Sequence, residues 1–561
     1  MPGPIPLRMQ QVHLGRGPLG YLVVNPSHKT PQAVYASEHE RQESILLKRC
    51  PVDIWPGGTS YTYGCPRPIL MYKRHHNQLV LFHESIVIAI VDIVKRWFAD
   101  VDAKFPERMP LHKDEEELLQ WLDTQVEHGN IAPYSAETLG SWRPDFLVED
   151  ENGDENFRLT EINARFCFNG FMHGSYGQTA LESMGMDESG LVGAADGAEF
   201  FNGLLRLFRH DRPLHLLKGE EKGIDIGMFI HAVQLHLGVT PRLITPNDLR
   251  LIPDPTDPSR TILCCLVKSS TQTTSPLRTA SGEVVEEIRQ VGLELHQREL
   301  AAMDTDMMHH ISLRCFNDMR TILLVHDKRM LGIIQQELPS LVRRGVLTVE
   351  QAQALAKGIA DTALPGSPYM QDLLHQSNIN PGLKDEYLLK PVRGGKGAGI
   401  VFGEDLSADE WLAALRDLQS PVLNPAGASF VAQRKVVQHN YELVLKACGE
   451  TLTQPLVGTY HTVHGAYLGI GTWRSSGDRI CAANTIAAIV ATLVASVAAA
   501  PTEKRDLPLL GGHSGIIKGV GPLLDSVESL VPALGGSGNG QGEDTAGPIL
   551  SGLGKLPLGG R

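Results

Sequence analysis

A mixed α/β and α+β fold is expected for this chain, on three observations. Helical and strand patterns alternate between residues 200 and 265 and again from Thr321 onward. Two period-two segments stand as a hairpin at 143–163. After about Pro501 the composition shifts to Gly, Pro, Leu and Ser, which reads as a loosely ordered tail. At 561 residues the chain has room for two to four domains. Four regions are expected. They are an N-terminal region 1–200 holding the hairpin, an α/β subdomain 201–310, a Lys- and Gly-bearing region 311–500, and the tail 501–561.

Taken in order, residues 1 to about 70 are rich in Pro and Gly and read as loops with short strands. Leu79–Asp100 carries a helical apolar repeat and reads as a largely buried helix. Glu115–Glu127 is an amphipathic helix with an acidic start, as the helix dipole prefers. Arg143–Glu149 and Phe157–Asn163 read as strands, with Asp150–Asn156 as the turn between them. Ala232–Leu237 is expected to be helical, Arg242–Ile244 and Thr261–Val267 to be strands, and Glu283–Asp304 to be helical. Thr321–Val325 reads as a strand, Lys328–Leu338 as a helix stopped by Pro339, and Val349–Ala360 as a further helix. Glu386–Lys390 is a strand that runs into a glycine loop. The uncharged stretch Cys481–Ala500 is long enough to span a membrane, but nine of its residues are Ala. A buried helix is the expectation, with membrane association the lesser alternative.

The formal charge of −13 gives no electrostatic reason to expect nucleic acid. The eight cysteines are scattered without CxxC spacing, which argues against a zinc ribbon and suits reduced thiols in the cytoplasm. No signal-peptide core stands at the N-terminus. Cys167, between Phe166 and Phe168, reads as core. The pairs His75-His76 and His309-His310 lack metal-ligand spacing and read as surface.

Five short elements could carry chemistry. Glu161 and Asn163 lie two apart on a strand and so share a face, with Arg165 continuing it. Asp145 on the preceding strand could complete a set of hard oxygen ligands suited to Mg²⁺. The same pattern also fits an exposed polar strand with an ion pair. Lys390 is followed by Arg393, Gly394, Gly395, Lys396, Gly397 and Gly399. Glycines let backbone N–H groups approach phosphate oxygens, and Lys390 and Lys396 can offset triphosphate charge. This is not a Walker loop, because no Ser or Thr follows the Lys. A plain glycine hairpin with solvated lysines is the competing reading. Lys328 opens a helix and could point a cation into a cleft, or lie on the surface. Arg474 follows Gly469 and Gly471 on a strand and could grip a phosphoryl group, or be solvated. The strand Phe430–Lys435, with Gln433, could line an adenine pocket or form an edge.

Together these pieces resemble the ATP-grasp superfamily, through a Glu-x-Asn motif and a Lys followed by a glycine loop. Glu161 precedes Lys390 by over two hundred residues. That order resembles the circularly permuted branch, which includes the synthetase domain of glutathionylspermidine synthase. Arg143-Pro144-Asp145, Asp327-Lys328 and Gly469–Arg474 stand where that branch carries its other motifs. By this resemblance residues 201–310 form a pre-ATP-grasp subdomain. Asp145, Glu161 and Asn163 would bind Mg²⁺. Lys328, Lys390, Arg393, Lys396, Gln433 and the Gly394–Gly399 loop would hold ATP. Arg143 and Arg474 would be the catalytic arginines. The implied activity is ATP-dependent carboxylate–amine ligation through an acyl-phosphate, with small-molecule acid and amine substrates. An ATP-grasp small-molecule kinase and a non-catalytic scaffold are the alternatives. No amidase domain precedes the matched region, and the identity of the substrates and the oligomeric state stay open.

Overall fold

The computed structural model describes residues 8–18, 20–25, 30–54, 64–221, 223, 225–267, 275–424, 428–481 and, as backbone, 488–495. Met1–Val497 form one compact unit, and Ala498–Arg561 a second that lies wholly outside the described residues, as does the expected tail 501–561.

A ten-stranded sheet organises the first unit. Its main path runs Tyr21–Val23, Gln10–Leu14, Gly64–Met71, Ala488–Ala495, Trp473–Ser475, Val457–Val463, Ser141–Glu151, Asp154–Asn163. Ala466–Ile470 pairs with Val457–Val463, and Leu191–Gly193 pairs with Ala488–Ala495. The pairing of Ala488–Ala495 with Gly64–Met71 is parallel. The other pairings in this sheet are antiparallel. Gly64–Met71 is buried along nearly its whole length, as a central strand covered on both faces must be.

The hairpin is longer than expected. Ser141–Glu151 and Asp154–Asn163 pair through to a two-residue turn at Asn152-Gly153, both at positive φ. Asn-Gly is the dipeptide that tolerates both left-handed positions, so most of Asp150–Asn156 is strand rather than turn.

The long helix Lys73–Lys95 has the length and hydropathy to cross a membrane. Its Phe82, Ile86, Ile90 and Ile93 are buried in the principal core with Leu159, Ile322, Ile334 and Leu355. A core helix of a folded domain has the same composition.

Smaller sheets flank these elements. Val291–Glu294, His215–Lys218 and Arg242–Ile244 form a parallel three-stranded sheet beside a four-stranded sheet built on Asp257–Leu266. A further four-stranded sheet runs Thr362–Ala363, Phe430–Arg434, Tyr387–Pro391, Val401–Phe402.

Several sequence expectations are corrected. Residues 1–70 contain the eighteen-residue helix Gln32–Arg49. Thr321–Val325 is no strand. It is a wide helical turn, with the His326 N–H bonded to Thr321 O at 3.1 Å and all five side chains buried. A short apolar run has no period that separates the two states. Glu283–Asp304 holds the strands Val284–Glu287 and Val291–Glu294, then the short helix Gln297–Ala301. There Leu293 stands beside Leu217 in the parallel sheet, and packing overrides the helical pattern. The helix Arg329–Arg343 continues through Pro339, beyond which Leu341 is buried in the principal core. Within 481–500 the backbone of 488–495 is a strand, not a helix, and fills the slot between Gly64–Met71 and Trp473–Ser475. Phe430–Arg434 is an inner strand rather than an edge. His75 is buried against Glu155 at 3.0 Å, not on the surface, and His309 stacks on Trp121 at 3.8 Å between ring centroids.

Gly458 sits where the central strand crosses two aromatic side chains. A Cβ there would meet Phe146 at 2.4 Å and Trp473 at 2.6 Å, both fully buried. Gly458→Ala is therefore expected to destabilise the protein by about 1–3 kcal/mol. Chemical denaturation checks this, and an unchanged midpoint would refute the packing account.

Candidate functional site

The hairpin positions the first cluster. Arg143 stands opposite Asn163, and Asp145 opposite Glu161. Opposed residues on paired strands share a face, so four polar side chains project together. A bulge between Asp145 and Phe146 leaves Thr160 as the extra residue. Its hydroxyl donates to the Asp145 carbonyl at 3.3 Å. The bulge lets Phe146 and Leu159 turn into the core while Glu161 stays beside Asp145.

Asp145 accepts from Arg143 Nε at 2.8 Å and from the other end of that guanidinium at 3.1 Å. Its Oδ2 also accepts from Arg474 at 2.6 Å. Arg474 reaches it because the strand Trp473–Ser475 pairs with Val457–Val463, which pairs in turn with the hairpin. Glu161 is paired with Lys328 Nζ at 3.1 Å. Asn163 Nδ2 makes a long contact of 3.4 Å to Glu161 Oε1.

Lys328 caps the helix Arg329–Arg343. Its backbone N–H donates to Val392 O at 2.9 Å, and its ammonium donates to Gly394 O at 2.6 Å. The helix start is thereby tied to the glycine loop at both main chain and side chain. Lys390 enters from the strand Tyr387–Pro391. It is only 7% exposed, and its ammonium has no hydrogen bond among the described residues.

Burial alone would raise the pKa of the Glu161 carboxyl. Lys328, Lys390 and Arg143 outweigh that and hold it below the usual carboxylate range. Burial pushes the Lys390 ammonium down to about 8, against the opposing pull of Glu161. Four cations, Arg143, Lys328, Lys390 and Arg474, thus face two carboxylates, Asp145 and Glu161. The excess of positive charge suits a polyanionic ligand.

The glycine loop folds back on itself. Lys396, Gly397 and Gly399 are all at positive φ, and Gly397 has no room for a Cβ because Ile480 would lie 2.3 Å from it. Gly395 is open, with nothing near its Cβ position. Lys396 Nζ pairs with Glu221 at 2.9 Å, so this cation is held by that carboxylate.

Two residues expected to touch nucleotide are committed elsewhere. Arg393 Nε and NH1 are spent on Asp327 and Glu115, which also brace Arg329 and the start of the helix Lys113–Glu127. Gln433 is 1% exposed and donates to Thr362 Oγ1 at 3.0 Å and, more weakly, to Thr160 O at 3.4 Å. Its amide stitches the small sheet to the hairpin bulge.

The sequence gives no signal for another group beside Arg143. Asp225 accepts from the Gly170 and His173 N–H groups and from His173 Nδ1 at 2.9 Å. Arg143 itself donates to Asn169 O at 3.2 Å in the same loop. Cys167 is fully buried with its sulfur against Leu293 O, as core.

A family model described as the AnkG N-terminal domain matches residues 82–324. The ATP-grasp enzyme ankG of Aspergillus thermomutatus is 37% identical over 424 residues, spanning 74% of this chain and 85% of that protein. The chain belongs to the ATP-grasp enzymes. The family-model match takes in Arg143, Asp145, Glu161 and Asn163. Among solved structures, a glutathione synthetase-like effector from Globodera pallida in apo form has a TM-score of 0.48 at 13% identity. It covers 84% of this chain and 99% of that one.

The cluster around Asp145 can be cut at a single residue. Asp145→Ala leaves two buried guanidinium groups without their shared acceptor and is expected to cost about 3–5 kcal/mol. Thermal or urea unfolding measures this. A loss under about 1 kcal/mol would mean the arginines find other partners.

Proposed function

We propose that this ATP-grasp enzyme is a carboxylate–amine ligase of the circularly permuted arrangement, resembling the synthetase domain of glutathionylspermidine synthase. The observation that carries the reading is the convergence of Asp145, Glu161 and Asn163 with Arg143, Arg474, Lys328 and Lys390 in a buried to half-buried cluster. These residues come from four segments far apart in sequence: the hairpin, Lys328, Lys390 and Arg474.

The donor set fits magnesium. Asp145, Glu161 and Asn163 offer hard oxygens on one strand face, and Glu161 is held ionised. The arginine and lysine contacts to those carboxylates are ones that a nucleotide-bound cation would share or replace. Magnesium, when bound, supplies charge neutralisation of the triphosphate.

In the proposed reaction a substrate carboxylate oxygen attacks the γ-phosphorus of ATP, and ADP leaves. Lys328 and Lys390 sit to balance the charge on the transferring phosphoryl group. Arg143 and Arg474, held by Asp145, are oriented toward the acyl-phosphate oxygens. An amine nitrogen then attacks the acyl carbon, phosphate departs, and the nitrogen loses a proton to give the amide. The Gly394–Gly399 loop, tethered by Lys328 and Lys396, covers the phosphates.

Calorimetry tests the binding half. Wild type is expected to bind ATP only with Mg²⁺. The Glu161→Ala/Asn163→Ala double variant is expected to lose about tenfold or more in affinity while keeping its circular dichroism, since each lost charged contact is worth at least ~1.4 kcal/mol. Hydroxylamine tests the chemistry, because an acyl-phosphate formed from an added carboxylic acid is trapped as a hydroxamate. ATP consumption that yields a phosphorylated alcohol instead would identify a kinase.

Lys390 adds a pH signature. Its ammonium is charged at pH values below about 8 and loses its proton above. A bound triphosphate favours the charged form, so binding near that pH takes up a proton and weakens as pH rises. Calorimetry in buffers of different ionisation enthalpy should show the uptake, and Lys390→Met should abolish it. Proton release on binding would sink the assignment.

A further inference from the structure

The small parallel sheet and the four-stranded sheet beside it hold a second group of side chains, which the ligase reading does not use. His215 opens the strand His215–Lys218 of the parallel sheet. Cys265 and Glu286 stand directly opposite one another on the antiparallel strands Asp257–Leu266 and Val284–Glu287. Opposed residues of such a pair share a face, so the thiol and the carboxylate project together. His215 meets them there. Its Nε2 lies 3.2 Å from Glu286 Oε1, and one donor atom from each of the three side chains lies within 4.8 Å of the other two.

All three residues are buried. The Cys265 thiol is in no disulfide and makes no hydrogen bond among the described residues. His215 Nδ1 is enclosed without a partner. Buried polar atoms that bind nothing cost stability. A cation held between the three side chains would make ligands of them.

The chemistry of the set selects the ion. One sulfur, one imidazole nitrogen and one carboxylate oxygen suit zinc, whereas magnesium takes oxygen alone. Zinc bonds are about 2.0–2.3 Å long, so two of them bridge donor atoms up to about 4.6 Å apart. A thiolate and a carboxylate together balance the charge of the dication. Arg242, opposite His215 in the parallel sheet, donates from Nε to Glu286 Oε1 at 3.1 Å. Ligating carboxylates are held by outer partners of this kind. The Arg242 side chain reaches solvent, which lessens its repulsion of the ion.

We propose that His215, Cys265 and Glu286 are the protein ligands of a structural zinc ion that clamps the parallel sheet to the antiparallel one. Three protein ligands leave the fourth position of the ion to a water. Binding takes the proton from the Cys265 thiol and releases it to solvent. The ion needs no path from the surface, because it is taken up as the chain folds around it. The site stands apart from the nucleotide site and does not depend on the reaction catalysed there.

The full-length chain, produced in cells grown with zinc and in cells grown with cobalt(II) in its place, provides the test. Native mass spectrometry is expected to show zinc bound. X-ray absorption at the zinc edge should show a single sulfur neighbour, the others being nitrogen or oxygen. The cobalt protein should carry a thiolate-to-metal charge-transfer band. Cys265→Ala should lose that band. Cys264→Ala should keep it, because Cys264 lies in a different cluster with Ile252 and Val285. In competition with a chromophoric chelator, His215→Gln and Glu286→Gln should each bind zinc about tenfold or more weakly than wild type.

A well-folded wild type that carries no zinc would overturn the site. So would a zinc with no sulfur neighbour or with two or more, and this readout needs no variant to fold. A charge-transfer band that survives Cys265→Ala or disappears in Cys264→Ala would give the metal to other residues. Unchanged zinc affinity in His215→Gln and Glu286→Gln would do the same.

Discussion

The Asp145 carboxylate, gripped by Arg143 from its own strand and by Arg474 from two strands away, holds the site together. One charged group joins the end of the hairpin to the last strands of the large sheet. These partners are buried or nearly so, which makes the cost of leaving either arginine unpaired high and the geometry correspondingly fixed. Because Asp145 faces Glu161 in register, fixing one fixes the other. Glu161 then reaches Lys328, Lys328 reaches the Gly394 carbonyl, and the glycine loop inherits its position from a chain of ionic contacts that begins at Asp145.

That chain accounts for the unusual burial of charge. A lysine such as Lys390, with no hydrogen bond among the described residues, would be intolerable in an isolated apolar core. Here the ionised Glu161 compensates part of its desolvation, and the remaining penalty appears as an ammonium that gives up its proton more readily. A site built this way is poised for a ligand with negative charge. Much of the desolvation has been met on folding, so binding a polyanion relieves repulsion rather than creating a new buried charge.

The parts legible in the sequence are those set by local periodicity. Glu161 and Asn163 could be placed on one face because strands alternate, and Lys390 ahead of a glycine loop is a contiguous pattern. The hairpin and the helices at Lys73–Lys95 and Lys113–Glu127 follow from apolar spacing. Failures cluster where tertiary packing decides. Thr321–Val325 is apolar enough for a strand, yet it wraps as a helical turn because all its side chains are buried. Ala488–Ala495 sits in an alanine-rich run that favours helix, but it fills a gap between two strands more than four hundred residues apart in the chain. Arg393 and Gln433 sat in suggestive positions, but their partners, Glu115 and Thr362, are invisible to any reading of the adjacent residues.

The same distinction explains why the unpaired state of Arg165 escapes a linear reading. Arg165 was visible as the continuation of the strand face that carries Glu161 and Asn163. What changes its meaning is absence of contact: it is buried, and no carboxylate among the described residues comes within ion-pair distance. Patterns in sequence report which groups can be brought to a face, and they do so well for Glu161 and Asn163. Whether a charge on that face has been satisfied depends on every element packed against it. Whether a donor is satisfied is therefore a property of the folded structure alone.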